Sequence, residues 1–173
     1  KLFKLSTESF VKSGSEKRAI AEQDILNNAD DIVCIIPSSS PNLRNLALKK
    51  EDLLIDQHYK KYLEAFAENL FVGVSNFSKD GYDSASALAC NIAKKNNIKA
   101  VAINDVLFLE KEDHLAHQAK VAINNATLLK DEIDNPNVSS EQYFKTEEEL
   151  AKFHELEPLK NTFEVAKLCN VFL

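Results

Sequence analysis

Short apolar segments alternate with amphipathic segments along the first two thirds of the chain. Residues 31–37, 70–75 and 99–104 are rich in β-branched and other apolar residues, which is typical of buried strands. Residues 82–97 lie between the second and third segments and carry apolar side chains at helical spacing, and a further helix is predicted over 57–68. A strand, a helix and a strand in this order predict a βαβ unit whose strands pair in parallel.

The remaining part of the chain, residues 112–173, has a helical character. A helix is predicted over 112–123, followed by a polar loop that runs to about Ser140. Thr146 and the glutamate three residues later form a capping box, which predicts the start of another helix. A last helix is expected near 158–170, with a short extended end after it. The pattern therefore predicts an α/β fold in which a helical layer closes a small parallel sheet.

Composition and charge are those of an ordinary globular domain. With 173 residues, 45% hydrophobic and 28% charged, the chain can bury a core as a single domain over 1–173. No stretch approaches the roughly 20 apolar residues needed to cross a bilayer, and no secretory leader is visible, so we expect a cytoplasmic protein without a membrane partner. Lys and Arg number 21 against 27 Asp and Glu. The net charge of −6 argues against direct nucleic-acid binding by this segment.

Two further features of the composition bear on the interpretation. The sequence contains no Met and begins with Lys1, which indicates a fragment or a sequence from which residues have been lost. Cys34, Cys90 and Cys169 are widely spaced in apolar surroundings, so we expect three reduced and buried thiols. No adjacent His or helix start is visible that would activate one of them as a nucleophile.

Few residues carry a chemical signal of their own. Three glycines in the whole chain exclude a glycine-rich phosphate loop. His114 and His117 could share a helix face as metal ligands, although an ordinary helix surface is the favoured alternative. Asp105 directly follows a predicted strand, where α/β folds place ligands and catalytic groups. The alternative for Asp105 is a loop or helix-capping residue.

Three ordered stretches resemble a known family. Residues 100–117 (AVAINDVLFLEKEDHLAH) are similar to the pattern VVATNDVHFL…EDAEAHE, residues 140–153 (SEQYFKTEEELAKF) to SSEQYFKSPEEMAELF, and residues 159–171 (LKNTFEVAKLCNV) to ALENTVEIAKRCNV. All three belong to the polymerase and histidinol phosphatase (PHP) domain of bacterial replicative DNA polymerase III α subunits. The resemblance implies part of a distorted (β/α)7 barrel, whose front would lie outside this chain.

The resemblance also implies that the family's metal site is degenerate here. Asp105 matches the Asp of an Asp-x-His ligand motif, but Leu107 stands in place of the His. The family's Glu and second His fall on Gly73 and Phe77. The amino-terminal His-x-His motif has no counterpart. Because a multi-metal site needs several anionic or imidazole ligands, we expect no bound metal or other cofactor, and we expect apolar side chains to fill the site as core.

The functional expectation follows from the family. The parent would catalyse DNA-directed DNA synthesis, whereas this segment would be non-catalytic and would contact other parts of the polymerase α subunit. It would serve as a scaffold or docking surface for the proofreading exonuclease subunit. Two alternatives stay open: a diverged metal-dependent phosphoesterase that uses Asp105, His114 and His117 with Zn or Mn, and a stand-alone α/β binding protein.

Overall fold

A computed structural model describes residues 1–13, 19–49, 52–75, 82–134 and 138–170. The strands are β1 (Cys34–Pro37), β2 (Leu70–Val74) and β3 (Lys99–Ala102). The helices are α1 (Leu2–Ser13), α2 (Glu22–Leu26), α3 (Pro41–Lys49), α4 (Asp52–Phe66), α5 (Tyr82–Lys95), α6 (His114–Asn125), α7 (Leu129–Asp134), α8 (Glu147–Leu150) and α9 (Leu156–Leu168). In the described part of the chain, no helix is long and apolar enough to span a membrane.

The strands form one parallel sheet in the order β1-β2-β3. Val72 of β2 pairs with Ile36 of β1, and Gly73 pairs with Val101 of β3. The predicted βαβ unit is confirmed, because α5 connects β2 to its parallel neighbour β3. The described residues thus form a small three-stranded sheet with helices, and they do not close into a barrel.

One face of the sheet carries the main hydrophobic core. Alternate strand residues point towards α4 and α5, as expected from the two-residue period of a strand. The buried side chains that meet there include Ile36, Leu70, Val72, Val74, Ile55, Tyr59, Phe66, Ala89, Ile92 and Ala93. Helix α9 lies along β3, where the Asn161 side-chain amide donates a hydrogen bond of 2.7 Å to the Ala100 carbonyl oxygen. This bond satisfies a backbone acceptor at the outer strand of the sheet.

Several predicted helices are present with shifted ends. The helix predicted over 57–68 begins earlier, at the start of α4, and a 3₁₀ turn precedes α6. The capping box is confirmed: the Thr146 hydroxyl accepts from the Glu149 backbone N–H, and the Glu149 carboxylate accepts from the Thr146 N–H. Helix α9 begins two residues before the predicted start. The predicted extended end at 171–173 lies outside the described residues.

Other expectations were wrong for identifiable reasons. The first strand begins only at Cys34, because Asp31 adopts a left-handed φ of 58° that turns the chain before the strand. Ile35 remains 39% exposed, since β1 lies at the edge of the sheet. Helix α7 forms within the region that was predicted to be a polar loop. It is held in place by the Gln118 side-chain amide, which donates a hydrogen bond of 3.1 Å to the Glu132 carbonyl oxygen. The expectation of three buried thiols was also wrong, because Cys169 is exposed and Cys34 and Cys90 are only half-buried.

The amino-terminal helices were not predicted. Helix α1 carries exposed apolar residues on its surface, α2 has only five residues, and α3 follows directly after the serine-rich turn. Helix α2 is too short to show an apolar stripe. Helices α1 and α3 are as amphipathic as α6 and α9, so their apolar spacing is a signal that sequence reasoning missed.

Asp56 joins α4 to the end of α5, and its protonation should weaken the fold. Its carboxylate accepts a hydrogen bond of 3.1 Å from the Asn96 side-chain amide. It also forms ion pairs with Lys60 at 3.2 Å and with Lys95 at 3.3 Å. The Asn96 hydrogen bond, followed by those of the lysines, lowers the Asp56 pKa from 3.8 to about 2. Because the folded-state pKa is the lower one, this stabilisation is complete above the unfolded pKa and is lost as the pH falls towards 2.

We therefore expect Asp56→Asn to flatten the pH dependence of the free energy of unfolding in that acidic range. Urea unfolding at several pH values from about 5 down to 2 measures this slope. Asn96→Ala, which removes the first of these hydrogen bonds, should flatten the slope in part. An unchanged slope in Asp56→Asn would show that the carboxylate is not held in this way.

Candidate functional site

The predicted metal positions lie near the carboxyl ends of the strands, the edge where parallel α/β sheets place ligands. Gly73 lies within β2, and Asp105 and Leu107 lie in the segment that follows β3. Phe77 lies outside the described residues.

The space beside Gly73 is already filled. A Cβ atom added there would lie 2.8 Å from Ile103 Cδ1 and 3.0 Å from Ile35 Cγ2, closer than such carbon atoms normally approach. The Ile103 backbone N–H donates a hydrogen bond of 3.0 Å to the Val74 carbonyl oxygen, which holds the main chain of residue 103 beside β2. A glutamate at this position would displace packed side chains and place a carboxylate among them. Gly73 itself supplies no side-chain ligand atom.

The segment that contains Asp105 and Leu107 is held by the second family-like stretch. The Leu107 N–H donates a hydrogen bond of 2.8 Å to the Gln142 carbonyl oxygen. In return, the Gln142 side-chain amide donates a hydrogen bond of 3.2 Å to the Asp105 carbonyl oxygen. The Asn104 side-chain amide donates a hydrogen bond of 2.6 Å to the Tyr143 carbonyl oxygen. Leu107 carries no ligand atom and is 45% exposed, so it does not supply the buried core volume expected from the sequence.

His114 and His117 lie on one side of α6, as their spacing predicts. Both rings lie against Phe108, with ring centroids 5.7 and 5.6 Å away. The Nε2 atom of His114 lies 3.0 Å from the Val138 carbonyl oxygen. Burial lowers the pKa of His117, and the nearby charges of Lys120 and His114 act in the same direction. Among the described residues, Asp105 and the two histidines do not form a group of three that could hold a metal ion.

A buried lysine is the feature of this region that sequence reasoning missed. The side chain of Lys145 is only 3% exposed, with Nζ 4.3 Å from the Tyr143 ring centroid and 5.1 Å from that of Phe153. Its charge is balanced by Glu141 at 3.4 Å, which also pairs with Lys111 at 2.6 Å. Burial lowers the pKa of Lys145, while Glu141 acts in the opposite direction. These partners are near in sequence, four and two residues before Lys145 and eight residues after it, but lysine is ordinarily an exposed residue, so its burial was not expected.

A serine cluster closes the carboxyl ends of β1 and β2. Ser38 follows β1, Ser75 follows β2 and Ser86 lies on α5, and all three are buried. The Ser38 hydroxyl lies 3.2 Å from the Ser75 hydroxyl and 3.1 Å from the Ser86 hydroxyl. It also accepts a hydrogen bond of 3.1 Å from the Ser75 backbone N–H. The Ser86 hydroxyl donates to the Ser75 carbonyl oxygen. These groups satisfy one another, so the cluster links the two strands to α5.

Comparison with known proteins connects the chain to bacterial replication. No protein-family model matches it. Relatives named DNA polymerase III subunit alpha cover most of its length. The protein from Haemophilus influenzae is 26% identical over 171 residues, which is 98% of this chain and 15% of that protein. The protein from Pseudomonas aeruginosa is 30% identical over 155 residues, which is 88% of this chain and 13% of that protein.

A third relative agrees with the first two. The protein from Escherichia coli K12 is 33% identical over 126 residues, which is 72% of this chain and 11% of that protein. The chain therefore resembles DNA-replication proteins of the polymerase class. In particular, it is similar to one segment of DNA polymerase III subunit alpha, and it spans only 11–15% of the length of these relatives.

The packing around Gly73 can be tested by a double-mutant cycle. Gly73→Ala should lower the free energy of unfolding by about 1–2 kcal/mol, because the new methyl group overpacks against Ile103. Ile103→Val removes the contacting Cδ1 atom and should cost about 1 kcal/mol by itself. The double variant should lose less stability than the sum of the two single variants, as measured by urea unfolding. Additive losses would contradict the contact.

Proposed function

We propose that this chain is a segment of a DNA polymerase III subunit alpha and forms part of its PHP domain. The similarity of most of the chain to one segment of that subunit carries this proposal. In the parent, the activity would be template-directed DNA synthesis in the bacterial cytoplasm. The segment itself would extend no primer and would act through contacts with other parts of the subunit.

The proposal includes a PHP region that holds no metal ion. The packing beside Gly73 supports it, because Ile103 and Ile35 occupy the space that a ligand side chain would need. Leu107 also offers no ligand atom. The same observations disfavour a phosphoesterase built on Asp105, since several ligands are needed to hold cations close together.

As a scaffold, this region would bind the proofreading exonuclease subunit. The net charge of −6 supports contact with a protein rather than with a phosphate backbone. Many large apolar side chains are exposed on the described surface, among them Phe3, Leu53, Ile123 and Phe163. Aromatic side chains such as Phe3 and Phe163 are enriched at protein interfaces.

We expect the purified chain to bind the cognate proofreading exonuclease subunit and to lose affinity as salt rises, because exposed charges are screened. Analytical size exclusion at low and high salt, with circular dichroism to confirm folding, measures both effects. An unrelated acidic protein of similar size is the control for non-specific association. A folded chain that shows no complex with the exonuclease at either salt concentration would contradict the docking role.

A further inference from the structure

A cavity away from the predicted metal positions lies between α5, β3 and the turn that leads into α9. Its volume is about 470 Å³, and small-molecule sites in proteins span roughly 300–1,000 Å³. Gly73, Asp105 and Leu107 are the predicted metal positions that the structure describes, and none of them lines this cavity. The cavity is therefore a candidate site of its own.

Tertiary contacts hold the walls of this cavity in place. Ala100 forms part of the β3 wall, and its carbonyl oxygen accepts the hydrogen bond from Asn161 that fixes α9 on the sheet. Phe153 forms another wall, and the Lys145 ammonium group lies over its ring. Pro158, near the start of α9, lines the cavity and is buried. The space is thus part of the folded structure.

The interior of the cavity is mostly apolar and holds two titratable groups in their neutral forms. The apolar residues that line it include Val74, Ala93, Ile98, Ala100 and Pro158. The Cys90 thiol and the His154 imidazole also line it, and both residues are half-buried. Burial raises the pKa of Cys90, and burial together with the charge of Lys145 lowers the pKa of His154. The interior therefore suits the uncharged part of a ligand.

Charged side chains lie at the rim of the cavity. Lys94, Glu155 and Glu157 line it and are exposed to solvent. The charges of Lys94 and Glu155 shift the pKa of the Cys90 thiol in opposite directions, so both lie near that thiol. None of the three charged residues forms an ion pair within the described part of the chain. Two carboxylates against one ammonium group leave an excess of negative charge, which attracts a cationic group.

We infer that this cavity binds a small organic amine with an apolar body. The body would lie among the apolar walls, and the ammonium group would lie at the rim near Glu155 and Glu157. A neutral or anionic ligand with the same body would lack the attraction of the two carboxylates. The inference goes beyond the proposed function and does not depend on it, because residues of this chain form the cavity.

Protection of Cys90 from a thiol reagent tests this inference in the full-length protein that contains this sequence. Methyl methanethiosulfonate modifies thiols without reacting with amines, and peptide mass spectrometry follows the modification rate at each cysteine. The probes are phenethylamine, the neutral phenethyl alcohol and the anionic hydrocinnamate, which share one aromatic body. Cys169 is exposed and does not line the cavity, so it is the control within the same protein.

Three variants locate the binding site. Ala87→Phe places a ring in the cavity from an exposed position on α5. Ala116→Phe, at an exposed position on α6, is its matched control. Glu155→Gln combined with Glu157→Gln removes the negative charge at two exposed positions and leaves the apolar walls unchanged. Circular dichroism confirms that each variant is folded.

Phenethylamine at about millimolar concentration should slow the modification of Cys90 and leave that of Cys169 unchanged. Phenethyl alcohol should protect Cys90 about two- to fivefold more weakly, which is the usual effect of an exposed charge pair, and hydrocinnamate should protect it more weakly still. The two glutamine substitutions together should reduce protection by the amine to that by the alcohol. Ala87→Phe should remove the difference between the rates with and without phenethylamine, whereas Ala116→Phe should preserve it.

A Cys90 that stays unmodified while Cys169 reacts would overturn the inference, because the cavity would then be closed in the full-length protein. The absence of protection by phenethylamine would overturn it as well. So would protection that does not follow the charge of the probe, or protection that persists in a folded Ala87→Phe protein. The probe series and the two glutamine substitutions decide the question without relying on Ala87→Phe.

Discussion

Strand β2 lies between β1 and β3, and all five of its residues are buried. A strand buried on both faces must meet apolar side chains on each side. On one face α4 and α5 supply them, and on the other Ile35 and Ile103 close over the position that lacks a side chain, Gly73. Because Gly73 has no side chain, these two isoleucines can approach the strand closely at this position.

Polar groups near the strand ends are used for structure. Ser38, Ser75 and Ser86 bond to one another and to the backbone, which removes the cost of burying their hydroxyls. Lys145 is buried only because Glu141 and two aromatic rings surround it, since an unpaired buried charge would be strongly unfavourable. The Glu141 carboxylate, which also pairs with Lys111, helps to hold the segment after β3 against the stretch before α8.

Local pattern predicted those elements whose signal is periodic. The βαβ unit, helix α5 and the capping box at Thr146 follow from spacing alone, and the structure confirms them. The edge position of β1 and the short helix α7 depend on partners distant in sequence, which a local pattern does not identify. The burial of Lys145 involves residues near it in the chain, but lysine is ordinarily exposed. The resemblance selected Gly73 and Leu107 as altered positions. Only the structure distinguishes them, because one is packed inside and the other is exposed.

The central claim is that this segment contributes packing and contact surface in place of metal chemistry. Metal content tests it most directly: the purified chain is incubated with Zn or Mn, dialysed and analysed by mass spectrometry, alongside Asp105→Ala. We expect far less than one equivalent of metal in either protein and no difference between them. A stoichiometric metal ion accompanied by phosphatase activity, both lost in Asp105→Ala, would contradict it.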